Sequence, residues 1–129
     1  MDRLYPGDLD VHTLSPLALA FVGDGVYSLL VRERLLSQAN RPVGDLHRLA
    51  VQHVRAEAQS AALGRLLPVL TPEEEAVYKR GRNAHTARSG ADYHRATGVE
   101  ALFGYLYLSG QIDRVQELFS LCVEEQPAE

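Results

Sequence analysis

Residues 17–36 constrain the fold more than any other part of this 129-residue chain. Leu17, Phe21, Val22, Val26, Leu29, Leu30, Val31 and Leu36 surround almost the whole circumference of a helix, and a helix that is apolar all round must be wrapped by other elements. Ser15-Pro16 opens it, since a Ser side chain caps free N–H groups and Pro is tolerated at the first helical position. The spacing predicts a central, buried helix running to about Gln38. Asp24, Arg32, Glu33 and Arg34 interrupt the apolar run, so it does not make a membrane span.

The rest of the chain supplies the wrapping. Asn40, Pro42 and Gly44 punctuate it, and Asp45 can cap a second helix with Leu46, Leu49, Ala50, Val54, Ala58, Ala61 and Ala62 at helical spacing, fading near Pro68. Thr71-Pro72-Glu73-Glu74 combines a Thr cap, Pro at the first position and Glu at the third, where its carboxylate reaches back to the cap N–H. Lys79 and Arg80 are expected to close that helix, with Gly81 following in the left-handed conformation. Residues 82–90 are polar, basic and small, which predicts an exposed loop. Helical spacing resumes over Asp92 to Leu108, and a last helix carries Val115, Leu118, Phe119 and Cys122 on one face. No alternating strand pattern competes. The prediction is an all-α, single-domain bundle of about five helices over residues 1–129.

Composition adds limits on location and redox chemistry. With 46% hydrophobic and 23% charged residues the chain has ordinary globular material for one core. Its single cysteine, Cys122, excludes an internal disulfide and a cysteine-based metal cluster and is expected to be a small buried hydrophobe. The stretch from Met1 to Asp8 has neither the charge pattern nor the apolar run of a targeting segment, so a cytoplasmic location and no membrane association are expected.

Two acids stand where packing alone would not put them. Asp24 lies in the most hydrophobic helix between Gly23 and Gly25; each glycine costs about 1 kcal/mol against Ala in a helix interior, and an unpaired buried carboxylate costs more. Glycines on both sides allow a cation or another backbone to approach closely. A structural role for Asp24, paired with a buried Arg or capping another helix, is the alternative. Glu100 repeats the pattern within Gly98-Val99-Glu100-Ala101-Leu102-Phe103-Gly104. If the fold brings the two acids together, they repel each other unless a cation or a shared proton lies between them. Hard oxygen donors of this kind suit Mg²⁺, which takes one or two protein carboxylates and fills its shell with waters and phosphate oxygens, an arrangement for phosphoryl transfer.

Net charge is −4, from 13 basic and 17 acidic residues, which argues at first against a nucleic-acid partner. The distribution argues the other way: residues 41–95 hold nine basic residues against six acidic ones, and four of the five histidines. Lys79, Arg80, Arg82, Arg88 and Arg95, with Asn83, His85 and His94, carry the groups that neutralise phosphates and reach sugar hydroxyls on an RNA duplex. A solvated helix end and loop is the plain alternative for this run. Few aromatics are interleaved, which disfavours stacking on single strands.

These residues together resemble a known family. Leu17-Ala-Leu-Ala-Phe-Val-Gly-Asp24-Gly-Val-Tyr is similar to the signature helix of the ribonuclease III catalytic domain, and Glu100-Ala-Leu-Phe-Gly-Tyr-Leu-Tyr-Leu to its second acidic helix. Asp45-Leu-His-Arg, Ala58-Gln-Ser-Ala61 and the run from Glu73 through Lys79-Arg-Gly-Arg-Asn83-Ala resemble the Mini-ribonuclease III branch, so the likeness covers nearly the whole chain in order. It implies the helical fold of that endonuclease domain without a separate double-stranded-RNA-binding domain. It further implies a homodimer, and Mg²⁺, for which Mn²⁺ can substitute, held by Asp24 and Glu100 as catalytic and metal-ligating residues. Cleavage of double-stranded RNA to 5′-phosphate products follows from the same likeness, with the stem of precursor large-subunit (23S) ribosomal RNA as substrate and ribosomal proteins as possible companions of that RNA. Lys79, Arg80, Arg82, Asn83, His85 and Arg88 become the RNA-binding residues. Where full-length members have a Glu four residues before the Asp and an Asp three before the Glu, this chain has Ala20 and Thr97. Their loss keeps open an inactive RNA-binding relative; a helical hydrolase of nucleotides and a plain interaction protein are the remaining alternatives.

Overall fold

Six α-helices form where the pattern predicts about five: α1 Pro16–Gln38, α2 Val43–Val54, α3 Ala56–Leu66, α4 Pro72–Arg82, α5 Ala91–Leu108 and α6 Ile112–Cys122, with short 3₁₀ turns at Val11–Thr13 and Leu67–Val69. The computed structural model describes residues 3–84 and 90–123. Two of the expected RNA-binding residues, His85 and Arg88, and the acidic end of the chain lie outside the described residues.

The start signals behave as their chemistry dictates. Ser15 Oγ accepts from Ala18 N at 3.1 Å ahead of Pro16, and Thr71 with Glu74 closes a reciprocal capping box on α4 at 3.1 and 2.9 Å. Two expectations fail. The long second helix is broken at Arg55, whose backbone is extended, and α2 begins at Val43 behind Pro42, leaving Asp45 in the first turn beside Arg48 at 3.7 Å rather than at the cap. Gly81 lies inside α4, which runs on to Arg82 and ends at Asn83. The one positive φ among the described residues belongs to Gly110, in the tight turn between α5 and α6.

The central helix is α5, not α1. Ala96, Val99, Ala101, Leu102, Phe103 and Leu106 are buried on several sides of it, with α1, α3 and α4 packed around it. α1 buries Leu19, Ala20, Gly23, Tyr27, Val31 and Leu35 but turns an apolar face outward: Phe21 is 82% exposed, and Leu17, Leu29 and Leu36 are exposed too. A groove beside that face is lined by Val22, Val26, Leu30, Tyr107 and Ile112. All-round hydrophobicity therefore reports two apolar faces, of which this chain covers one.

The aromatic centre joins three helices. Tyr27 meets Phe103 and Phe119 edge-on, with centroids 5.3 and 5.4 Å apart, contacts that contribute about 0.5–1.5 kcal/mol each beyond burial. The Tyr27 hydroxyl and the Cys122 thiol share a hydrogen bond, and burial pushes the thiol up to about 12. Cys122 is thus an inert core residue, as expected. Among the described residues, no helix is long and apolar enough to cross a membrane.

Candidate active site

α1 and α5 cross backbone against backbone. A Cβ on Gly23 would collide with the Glu100 carbonyl and stand 2.9 Å from Gly104 N; one on Gly104 would collide with the Leu19 carbonyl and stand 3.0 Å from Gly23 N. No other residue type fits either position without separating the helices. The crossing seats the next residue of α1, Asp24, against Glu100 of α5, so the two acids are brought together across 76 positions of sequence. Gly25, on the other flank, has nothing within 4 Å of its Cβ position. One glycine thus admits a backbone, and the other leaves the approach to Asp24 open.

Asp24 is exposed and Glu100 half-buried. Burial first, and then the Asp24 carboxylate beside it, push the Glu100 carboxyl up to about 7; the amide of Gln59 works the other way, and a hydrogen bond with Asp24 adds to the rise. Burial and the neighbouring Asp24 carboxylate thus both favour the protonated form of Glu100. Gln59 reaches Glu100 from α3, is 1% exposed, and neither Oε1 nor Nε2 closes a hydrogen bond of good geometry. Leaving such a group dry costs about 1–3 kcal/mol.

Among the described residues, no three His, Cys, Asp or Glu side chains converge as a metal cage. Two carboxylates, one of them open to solvent, do not make a closed zinc site. They do fit Mg²⁺, which keeps most of its shell for water and phosphate oxygens. Ala20 and Thr97, on the faces of α1 and α5 that carry the acids, are buried, and the Thr97 hydroxyl donates to Tyr93 O at 3.0 Å.

The basic end of α4 is anchored to the same helix. A Cβ on Gly81 would stand 2.6 Å from Ala101 Cβ, 3.1 Å from Gly98 Cα and 3.2 Å from Thr97 O, and one on Gly98 would press into the Tyr78 ring, 2.6 Å from Cδ1. Gly81 is therefore a close-packing glycine, and the last turn of α4 lies against the turn of α5 that carries Glu100. Around it, Arg82 stacks over Tyr78 at 5.6 Å and donates to Asn83 Oδ1 at 3.0 Å, Lys79 pairs with Glu75 at 3.2 Å, and Arg80 is exposed. Arg95, part of the basic run, is turned to Ser60 Oγ at 2.8 Å and Asp92 at 3.2 Å. It ties α5 to α3 one position from Gln59.

Sequence reasoning passed over Gln59 as part of a similar segment, and the only signal was an amide among small apolar helix residues. It also left Glu74 as a cap alone. Arg114, 40 positions away on α6, donates to both Glu74 oxygens at 2.8 Å and to Val69 O at 2.8 Å.

Comparison with known proteins gives the family and the fold. The ribonuclease III domain family matches residues 17–111. A Mini-ribonuclease 3 from Symbiobacterium thermophilum is 49% identical over 117 residues, covering 87% of this chain and 90% of that protein. One from Thermoanaerobacter sp. is 44% identical over 119 residues, covering 88% and 84%. Among solved structures, a crystal structure of a Fusobacterium nucleatum protein superposes with a TM-score of 0.81 at 28% identity, over 91% of this chain and 94% of that one.

Proposed function

The chain belongs to the ribonuclease III family, in its Mini-ribonuclease 3 branch, and is a ribonuclease; from that premise we propose that it is a Mg²⁺-dependent endoribonuclease that cuts both strands of double-stranded RNA. The observation that carries the proposal is the like-charge pair: Asp24 and Glu100 are held together by glycines that allow no side chain between their helices, and Glu100 is pushed up to about 7 by its surroundings. The close crossing serves packing, but setting two like charges side by side within it costs stability.

In this reading Asp24 and Glu100 would hold the ion. Mg²⁺, when bound, would supply an activated water and neutralise charge on the phosphodiester and on the departing 3′ oxygen, and the product would carry a 5′ phosphate. Mn²⁺ would serve in its place. Lys79, Arg80, Arg82 and Asn83, with His85 and Arg88, grip the sugar-phosphate backbone, because cationic side chains neutralise phosphates and amide and imidazole groups reach sugar hydroxyls. The outward apolar face of α1, with Phe21 82% exposed, supports a homodimer that presents one centre to each strand. The substrate proposed is the stem of precursor large-subunit ribosomal RNA, with ribosomal proteins on that RNA, in the cytoplasm.

The test is an end-labelled RNA duplex, and separately that stem, incubated with the protein in Mg²⁺ and in EDTA, beside Asp24→Asn. Cuts in both strands that need the metal and vanish in the variant are expected, with 5′-phosphate ends. Tight duplex binding without cleavage in any divalent metal would instead make the chain an inactive RNA clamp.

A further inference from the structure

Gln59 is the polar group that the proposed chemistry leaves unused. It lies on α3 in Ala58-Gln59-Ser60-Ala61, a segment that the predicted RNA contacts and metal ligands do not include. Its side chain is 1% exposed, and neither polar atom closes a hydrogen bond of good geometry, although the amide lies close enough to Glu100 to favour its charged form. Packing alone selects against that, because Leu or Met fills a similar volume and leaves nothing unsatisfied. Position gives a reason to keep it. The neighbouring Ser60 is held to α5 by Arg95 Nε at 2.8 Å, and the carboxamide is thereby set beside the Glu100 carboxyl.

We propose that Gln59 is a positioning residue for the cation site: its buried carboxamide, facing Glu100, holds one carboxylate oxygen with an N–H so that the other is turned to a divalent cation alongside Asp24. This rests on the function proposed above and adds an orienting group to it. A metal ligand free to rotate loses affinity, and an amide donor behind it removes that freedom. The stability lost to a dry amide is recovered only when the carboxylate is engaged.

The probe is Mn²⁺ alone, followed by the electron paramagnetic resonance of the free ion, with thermal unfolding of the metal-free proteins in parallel. Wild type, Gln59→Leu, Gln59→Met and Asp24→Asn are compared. Both Gln59 variants are expected to melt at or above the wild-type temperature, to bind Mn²⁺ about 10- to 100-fold more weakly, and to recover duplex cleavage as Mn²⁺ is raised. Unchanged Mn²⁺ affinity in both would overturn the proposal while leaving the proposed function intact. Lower melting temperatures in both would make the amide a structural group and overturn it equally. If wild type binds no Mn²⁺ that Asp24→Asn fails to bind, the metal-dependent function itself falls, and the role of Gln59 with it.

Discussion

Glu74 on α4 and Glu100 on α5 are both glutamates drawn out of solvent, and their surroundings treat them in opposite ways. Glu74 has three donors on its two oxygens: Arg114 forks onto both at 2.8 Å and Thr71 N donates at 2.9 Å. Those bonds, the Arg114 ones first, hold its carboxyl below the ordinary range. Glu100 has another carboxylate as neighbour and a dry amide behind it, and it is pushed up to about 7. On the proposed function, the difference is what separates a structural acid from a working one. A countercharge built into the fold marks the first, and a cation left to be supplied from outside marks the second.

The largest effect that sharpens this contrast comes from neutralising each acid in turn. Glu100→Gln is expected to lower duplex cleavage by about 10³-fold or more while leaving the fold as stable or more so. Glu74→Gln is expected to do the reverse, leaving cleavage near wild type at a permissive temperature and lowering stability. Cleavage rates and denaturant unfolding of both variants decide it; activity loss in Glu74→Gln without unfolding would break the distinction.

Next in size is removal of the countercharge. Arg114→Ala strands a buried carboxylate and should cost about 3 kcal/mol in urea unfolding, because the Glu74 side chain is 7% exposed and that of Arg114 21%. A cost below about 0.5 kcal/mol would put the pair with exposed ion pairs and deprive Glu74 of its structural role.

The far end of α4 extends the comparison to charges that face outward. Arg80→Ala combined with Arg82→Ala should weaken duplex binding about 10-fold and reduce the salt slope of log affinity by about 2, with no effect on Mg²⁺ binding. An unchanged slope across a salt titration removes both residues from the RNA contact.

The smallest effect is a pH dependence of stability. Between the ordinary 4.5 and about 7 the folded protein holds a proton on Glu100 that the unfolded chain has released, so this group makes stability fall as pH rises through that window. Glu74 contributes oppositely: its stabilisation is present above the ordinary value and is lost as pH falls toward its lowered one. Glu100→Gln should therefore melt above wild type at pH 7.5 and level with it at pH 4.5. Parallel melting curves at the two pH values would contradict the raised Glu100 carboxyl.

Much of this was legible in the sequence wherever the cause is local. Ser15-Pro16 and Thr71-Pro72 act within one turn of themselves, and both helices start as expected. Asp24 and Glu100 were legible as acids in costly places, since a carboxylate among glycines in an apolar helix has few packing reasons to be there. What was not legible depends on partners distant in sequence. Gly81 looks like a helix stop, because only contact with Ala101 and Gly98 reveals it as a crossing point. Arg55 breaks a helix with no Gly or Pro to signal it. Phe21 counts toward a buried helix in any periodicity, although it faces outward on the bundle. Gln59 and Arg114 acquire meaning only beside Glu100 and Glu74.

The central claim is that the chain keeps Glu100 poised against Asp24 for a divalent cation, and carboxyl-carbon nuclear magnetic resonance titration of the two glutamates, with and without Mg²⁺, tests it most directly. The prediction is that Glu74 titrates below the ordinary range in both conditions, whereas Glu100 titrates near 7 and drops when Mg²⁺ is added. A Glu100 carboxyl that titrates near 4.5 and ignores Mg²⁺ would contradict the account.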